Sequence, residues 1–113
     1  MKQFDKYEFL TELREDLISE CASLYSHDAD ENEIQDSLES FIHSYIDNKC
    51  IYYADCWAIC YELASSDFEI EQTGETAKNI TELAYWSLYD LSCEIDVDLL
   101  IASVKPVTQN INN

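Results

Sequence analysis

The chain has 113 residues, enough for one domain that removes roughly two thirds of its unfolded surface from water. Asp and Glu number 24 against 6 Lys and Arg, a formal charge of -18, which excludes a basic nucleic-acid-binding patch and points to partners with basic surfaces. A hydrophobic share of 47% excludes a largely disordered chain, and no apolar run approaches the ~20 residues of a membrane span.

The first predicted helix runs from Asp5 to about Tyr25. Leu10, Leu13, Leu17, Cys21 and Leu24 step by three or four residues and form one apolar stripe, while Asp5, Glu8, Glu12 and Glu15 recur at similar steps on other faces. Met1 to Leu10 lacks the apolar core of a secretory signal, so the expected location is the cytoplasm. His27 to Glu31 is a polar connection in which Asp28 or Asp30 supplies the next N-cap. The second helix covers about Asn32 to Asp47. Ile34, Leu38, Phe41, Ile42 and Tyr45 form its buried face, and Glu33, Asp36 and Glu39 an acidic one.

The third helix, about Tyr52 to Ser65, is apolar nearly all round, through Ala54, Cys56, Trp57, Ala58, Ile59, Cys60, Tyr61 and Leu63. Such a helix needs cover on several sides, which a second copy of the chain supplies, so a homodimer is expected. Ser66 to Glu75 reads as a loop, with a short extended stretch at Phe68 to Glu71, and it contains the single glycine, Gly74. Thr73 or Thr76 caps a fourth helix, about Ala77 to Glu94, with Ile80, Leu83, Ala84, Leu88 and Leu91 on its core face. A short last helix, Val97 to Ser103, adds Leu99, Leu100 and Val104, and Pro106 ends it. The expected architecture is all-α: a compact bundle of four to five helices over residues 1–104, with a disordered polar tail over 105–113.

Five cysteines, an odd number, read as buried thiols in a reducing compartment. Cys56 and Cys60 share a helix face at i, i+4, but no C-x-x-C pair or supporting histidine spacing completes a ligand set, so neither a metal nor a cofactor is expected. One glycine cannot build a phosphate-binding loop, and no nucleophile elbow, zincin or kinase motif is present; the chain is not expected to be an enzyme.

The carboxylate rows permit a different chemistry. Carboxylates three or four residues apart on a helix sit about 5–6 Å apart at Cβ, close to the spacing of phosphates along one DNA strand. Such rows imitate a DNA backbone to a protein that reads charge and shape. The residues expected to do so are Asp5, Glu8, Glu12, Glu15, Glu33, Asp36, Glu39, Glu69 and Glu71. The bland reading of the same rows is a solvated outer face.

The segment Ile51-Tyr52-Tyr53-Ala54-Asp55-Cys56-Trp57 resembles the central segment of the Ocr family of phage antirestriction proteins, where a Tyr-Tyr-Ala-Asp run likewise follows an amphipathic helix and a short break. The likeness continues through the acidic alternating stretch before Gly74 and into Ile80 to Leu100, ending on Asp98-Leu99-Leu100. It covers about two thirds of the chain. The family's acidic C-terminal tail is missing, since Lys105 to Asn113 holds no acidic residue, and Lys49-Cys50-Ile51 stands where the family has a proline. The resemblance implies a helical homodimer whose acidic surface mimics bent DNA and occupies the DNA-binding groove of a restriction-modification or BREX-like defence complex of the host. It further implies a dimer contact through Tyr53, Cys56, Trp57, Cys60 and Ile80; the residue pattern equally allows these to fill the core of one chain. The rival reading is an antidefence or regulatory protein that binds one host protein through exposed aromatics such as Tyr52, Tyr53, Trp86 or Tyr89, with no imitation of DNA. Neither reading involves a membrane or direct binding to nucleic acid.

Overall fold

The computed structural model describes residues 3–63 and 74–106. They form five helices and, among the described residues, no strand: α1 (Lys6–Ser26), α2 (Glu31–Lys49), α3 (Tyr53–Leu63), α4 (Gly74–Ser92) and α5 (Val97–Val104). The stretch Phe68 to Glu71, Thr73 and the end of the tail, 107–113, lie outside the described residues.

Three of the helices start on an aspartate whose carboxylate accepts first-turn N–H groups. Asp5 takes those of Tyr7 at 2.9 Å and Glu8 at 3.1 Å, Asp30 that of Glu33 at 2.9 Å, and Asp96 that of Leu99 at 3.0 Å. Each meets an orphan helix donor and places negative charge at the positive end of the helix dipole. Of the two candidates for the second cap, Asp30 is the one used. The backbone N–H of Glu33 holds its carboxyl below the ordinary carboxylate range.

Asp28 serves the preceding helix. Its φ is 61°, its N–H donates to Tyr25 O at 3.1 Å, and the N–H of Ala29 donates to Leu24 O at 3.1 Å. These bonds close α1 in a Schellman arrangement, with aspartate at the left-handed position where glycine is usual, and Leu24 and Ala29 both pack on the core below it.

The core follows the helical period. Phe9, Leu13, Leu17 and Cys21 face inward from α1, and Ile34, Leu38, Ile42 and Ile46 from α2, each set at four-residue steps. Cys56, Ile59 and Cys60 come from α3, Ile80, Ala84, Leu88 and Leu91 from α4, and Leu100 and Ile101 from α5. Each large aliphatic among them contributes about 1.5–3 kcal/mol by leaving water. α1 packs on α2 and α3 on α4; α2 joins the pairs by packing on α4, and α5 lies across α1 and α2.

Some sequence expectations need correction. Phe9 and Ile46 are core residues beyond the expected stripes, since they lie four residues before Leu13 and four after Ile42 on the faces that α1 and α2 bury. Leu99 is 66% exposed. α5 seats Val97, Leu100, Ile101 and Val104 against the core at i, i+3, i+4 and i+7, which turns position 99 outward. Leu83 is likewise exposed on α4, on the side of Ile80 and Ala84 away from the core. Gly74 opens α4 and is not the end of a loop, which places Thr76 within the helix and not at its cap. Lys105, expected in a loose tail, closes α5 through its N–H to Ile101 O at 2.9 Å and binds Glu31 through its ammonium at 2.7 Å. No helix among the described residues is long and apolar enough to cross a membrane.

Candidate interaction surfaces

At 100° per residue, Asp5, Glu8, Glu12, Glu15 and Asp16 fall within about 100° of arc on α1, to one side of the Leu13–Leu17 stripe. Tyr7, Arg14 and Ile18 occupy the opposite flank. α2 adds Glu33, Asp36 and Asp47 on its outward side, all exposed. A groove between the two helices is lined by Glu20 of α1 and by Asp36, Ser37, Ser40, Phe41 and Ser44 of α2, so carboxylates from both helices border one surface.

The expected acidic residues do not all share one role. Glu8, Glu15, Glu33 and Asp36 are exposed on the outer faces. Asp5 is exposed but engaged as the cap of α1. Glu12 lies 3.8 Å from the Lys49 ammonium and accepts from the Tyr45 hydroxyl at 3.3 Å. Burial, followed by the negative charge of Glu12 and Asp16, pushes the Tyr45 phenol up to about 12. Glu39 turns toward α4, where its carboxylate accepts from the Tyr89 hydroxyl at 3.0 Å. Glu69 and Glu71 lie outside the described residues.

The residues expected at a dimer contact also separate. Cys56, Cys60 and Ile80 have no exposed surface in the single chain, because α3 lays its Cys56–Ile59–Cys60 face on α4. The Cys60 thiol reaches Ile80 O at 3.9 Å and the Cys56 thiol donates to Cys50 O at 3.4 Å. Only Tyr53, 57% exposed, and the half-buried Trp57 have surface to offer a second copy in this arrangement. Tyr61, one turn on, stands beside Trp57 with ring centroids 6.2 Å apart, and Ile51 and Tyr52 are exposed just before the helix. The apolar excess of α3 is therefore divided between a thiol-rich inner face and an aromatic outer flank.

Three of the buried thiols are held in the protonated, weakly nucleophilic form. Burial, with the neighbouring Cys56 next in importance, pushes Cys50 up to about 12 and Cys60 to about 11. Cys21, buried in α1, is raised by burial as well. Cys93 alone among the five is exposed. Among the described residues no group of three or more His, Cys, Asp or Glu side chains is arranged to hold a metal ion.

An aromatic cluster joins α2 to α4. The His43 ring stacks on Tyr85 and Tyr89 at centroid distances of 6.0 and 5.1 Å, and its Nδ1 pairs with the Tyr85 hydroxyl. Trp86 meets Tyr85 and Tyr89 edge-on at 5.1 and 5.7 Å and remains half exposed. Of the two aromatics expected to be exposed here, Trp86 is, whereas Tyr89 is half-buried against the core, and the cluster itself was missed. The i, i+1, i+4 spacing of Tyr85, Trp86 and Tyr89 was visible; the packing of α2 that brings His43 between them was not.

None of the protein-family models, curated proteins or solved structures compared with this chain matches it.

Proposed function

We propose that this chain is an antidefence protein that binds a DNA-binding defence complex of the host, of the restriction-modification or BREX-like kind, and blocks it by presenting helical carboxylates in place of DNA phosphates. The observation that carries this reading is the set of exposed carboxylates on the outer faces of α1 and α2, in a chain with a charge of -18. Glu8, Glu12 and Glu15 of α1 and Glu33 and Asp36 of α2 are its working residues; each meets a lysine or arginine of the target. The binding energy is spread over many screened contacts, so no single carboxylate dominates. Asp5 and Glu39 contribute charge but also serve their own helices. The proposed protein is a cytoplasmic homodimer without catalytic activity, joined through the aromatic flank of α3.

The test is inhibition of a purified type I restriction-modification enzyme, titrated at two salt concentrations with and without competing duplex DNA. Mimicry requires affinity to fall steeply with salt and duplex DNA to compete for the same surface. Affinity insensitive to salt, with no competition, removes it. Light scattering tests the dimer: a 13.1 kDa species throughout the micromolar range excludes it. Trp57→Asp separates dimer from core, since loss of the dimer with helicity intact marks an interface and loss of helicity marks core.

One observation favours the rival reading, a specific inhibitor that does not imitate DNA. The His43–Tyr85–Trp86–Tyr89 cluster concentrates aromatic surface in one place, as interface hot spots do. Under that reading Trp86→Ala abolishes target binding while several Glu→Gln changes on α1 leave it nearly intact.

A further inference from the structure

Beside the aromatic cluster lies a cleft of about 390 Å³ formed by α2, α4 and the turn into α5. Ile42, Ile95 and Val97 give it an apolar floor, and Glu39, Asp96 and Asp98 stand among its lining residues. Tyr89 belongs both to the cleft and to the cluster, so aromatic surface and acidic cleft are continuous.

The three carboxylates are held in place from within the fold. The Tyr89 hydroxyl donates to Glu39 Oε1 at 3.0 Å, Gln35 Nε2 donates to Asp98 Oδ1 at 3.3 Å, and Asp96 Oδ1 caps α5. Each of these bonds uses one carboxylate oxygen. Among the described residues, no lysine or arginine pairs with any of the three: His43 Nε2 lies 3.8 Å from Glu39 Oε1, while Lys49 and Lys105 pair elsewhere, with Glu12 and Glu31. The cleft thus offers three negative groups, an apolar floor for an alkyl stem and the Tyr89 ring in its wall, with Trp86 packed against that ring.

From this combination we propose that the cleft and the adjoining Trp86–Tyr89 rings receive one arginine side chain of the partner protein. The chemistry selects arginine. Its guanidinium is planar, stacks on aromatic faces and accepts bidentate pairing with carboxylate, whereas an ammonium is compact and strongly hydrated. The propyl stem covers Ile42 and Ile95 while the head meets Glu39 and Asp98. Charge complementarity identifies the occupant: an apolar residue in the same place leaves three carboxylates desolvated without a counter-charge. The proposal rests on the reading that the partner presents a basic surface, and it adds a localised anchor to contacts that are otherwise diffuse.

The test uses neither the defence enzyme nor DNA, so it can fail while mimicry stands, and the reverse. A short neutral peptide carrying a single arginine is titrated into the full chain at physiological salt, with the amides and the Trp indole N–H groups followed by NMR. Matched peptides carrying lysine or the uncharged isostere citrulline serve as comparisons. The expected result is saturable shifts centred on Glu39, Trp86, Tyr89 and Asp98, several-fold weaker binding of the lysine peptide and no saturation with citrulline. Trp86→Ala and Glu39→Gln each reduce the affinity at least several-fold, with far-UV ellipticity confirming the fold, while Glu8→Gln with Glu15→Gln leaves it unchanged. Equal binding of arginine and lysine peptides overturns the assignment to arginine. Shifts scattered over α1 and α2, or an equal loss from the Glu8 and Glu15 pair, reduce the effect to diffuse charge and overturn the site. Absence of saturation at millimolar peptide does the same.

Discussion

The α1–α2 pair and the α3–α4 pair solve the same problem with different chemistry. In α1 and α2, aliphatic stripes at four-residue steps form the inside and carboxylates the outside. In α3 and α4, the thiols of Cys56 and Cys60 join Ile59, Ile80, Ala84, Leu88 and Leu91 on the inside, and tyrosine and tryptophan form much of the outside, including Tyr53, Tyr61 and Trp86. The first pair spreads its capacity for interaction over many equivalent charges. The second concentrates it in a few large rings. A spread surface tolerates the loss of any one member and is sensitive to salt; a concentrated one is indifferent to salt and fails at a single substitution. The molecule carries both, and they meet where Glu39 of α2 accepts the Tyr89 hydroxyl of α4.

Alkaline pH produces the largest expected difference between the pairs. Burial raises the Cys50 thiol from its ordinary 9.0 to about 12 and Cys60 to about 11. A raised folded value means that the stabilisation is fully present below the unfolded value and is lost as pH rises through the folded one. The thiol contribution of Cys60 within α3, and of Cys50 where α2 ends, is therefore intact at neutral pH and declines from about pH 9 toward about 11 and 12. The main phenol of the α1–α2 pair, Tyr45, begins to lose its contribution only from 10.0. Trp57 and Trp86 both belong to α3 and α4. Tryptophan fluorescence should then change at lower pH than far-UV ellipticity. Coincident transitions would show a single cooperative unit and dissolve the comparison.

Next in size is a core truncation. Leu17→Ala removes a fully buried side chain from α1 and should cost about 2–5 kcal/mol in denaturant unfolding, with the m-value unchanged if folding is two-state. A cost below about 1 kcal/mol would mean that α1 is not locked into the core the others share. The smallest effect belongs to the outer charges. Glu8→Gln with Glu15→Gln should move stability by no more than about 0.5 kcal/mol per site, toward greater stability, because each change relieves self-repulsion. Under mimicry the same changes should lower target affinity in increments that add for well-separated sites. Destabilisation by this pair would reveal structural contacts for carboxylates assigned here to the surface.

Much of the fold was legible because helix signals are local. The aspartate cap at position 30, the stripe Leu13–Leu17–Cys21 and the extent of α5 are properties of a few adjacent residues, whereas Asp5, expected within the first helix, turns out to cap it. What escaped was set by helices distant in sequence. Whether Leu99 or Ile101 faces inward depends on how α5 lies across α1 and α2. The division of α3 into a buried thiol face and an exposed aromatic flank depends on α4. The acidic surface was legible residue by residue, but its internal duties were not: Glu12 and Glu39 are held by Lys49 and Tyr89, partners 37 and 50 positions away. The cleft at α5 gave no sequence signal, since its carboxylates come from two helices and a turn and resemble every other Asp and Glu in an acidic chain.

The distribution of the cysteines equips the protein with its own reporters. Cys93 is open to an alkylating reagent in the folded chain, while Cys21 is buried on the inner face of α1, Cys56 and Cys60 on that of α3, and Cys50 at the end of α2. A sheltered thiol reacts only when the helix over it lifts, so the rate of each modification clocks the opening of its own neighbourhood. Pulsed alkylation read by mass would mark Cys93 at once and then reveal whether the α1 thiol and the α3 group follow together or in turn. No label need be engineered to time the two halves of the molecule separately.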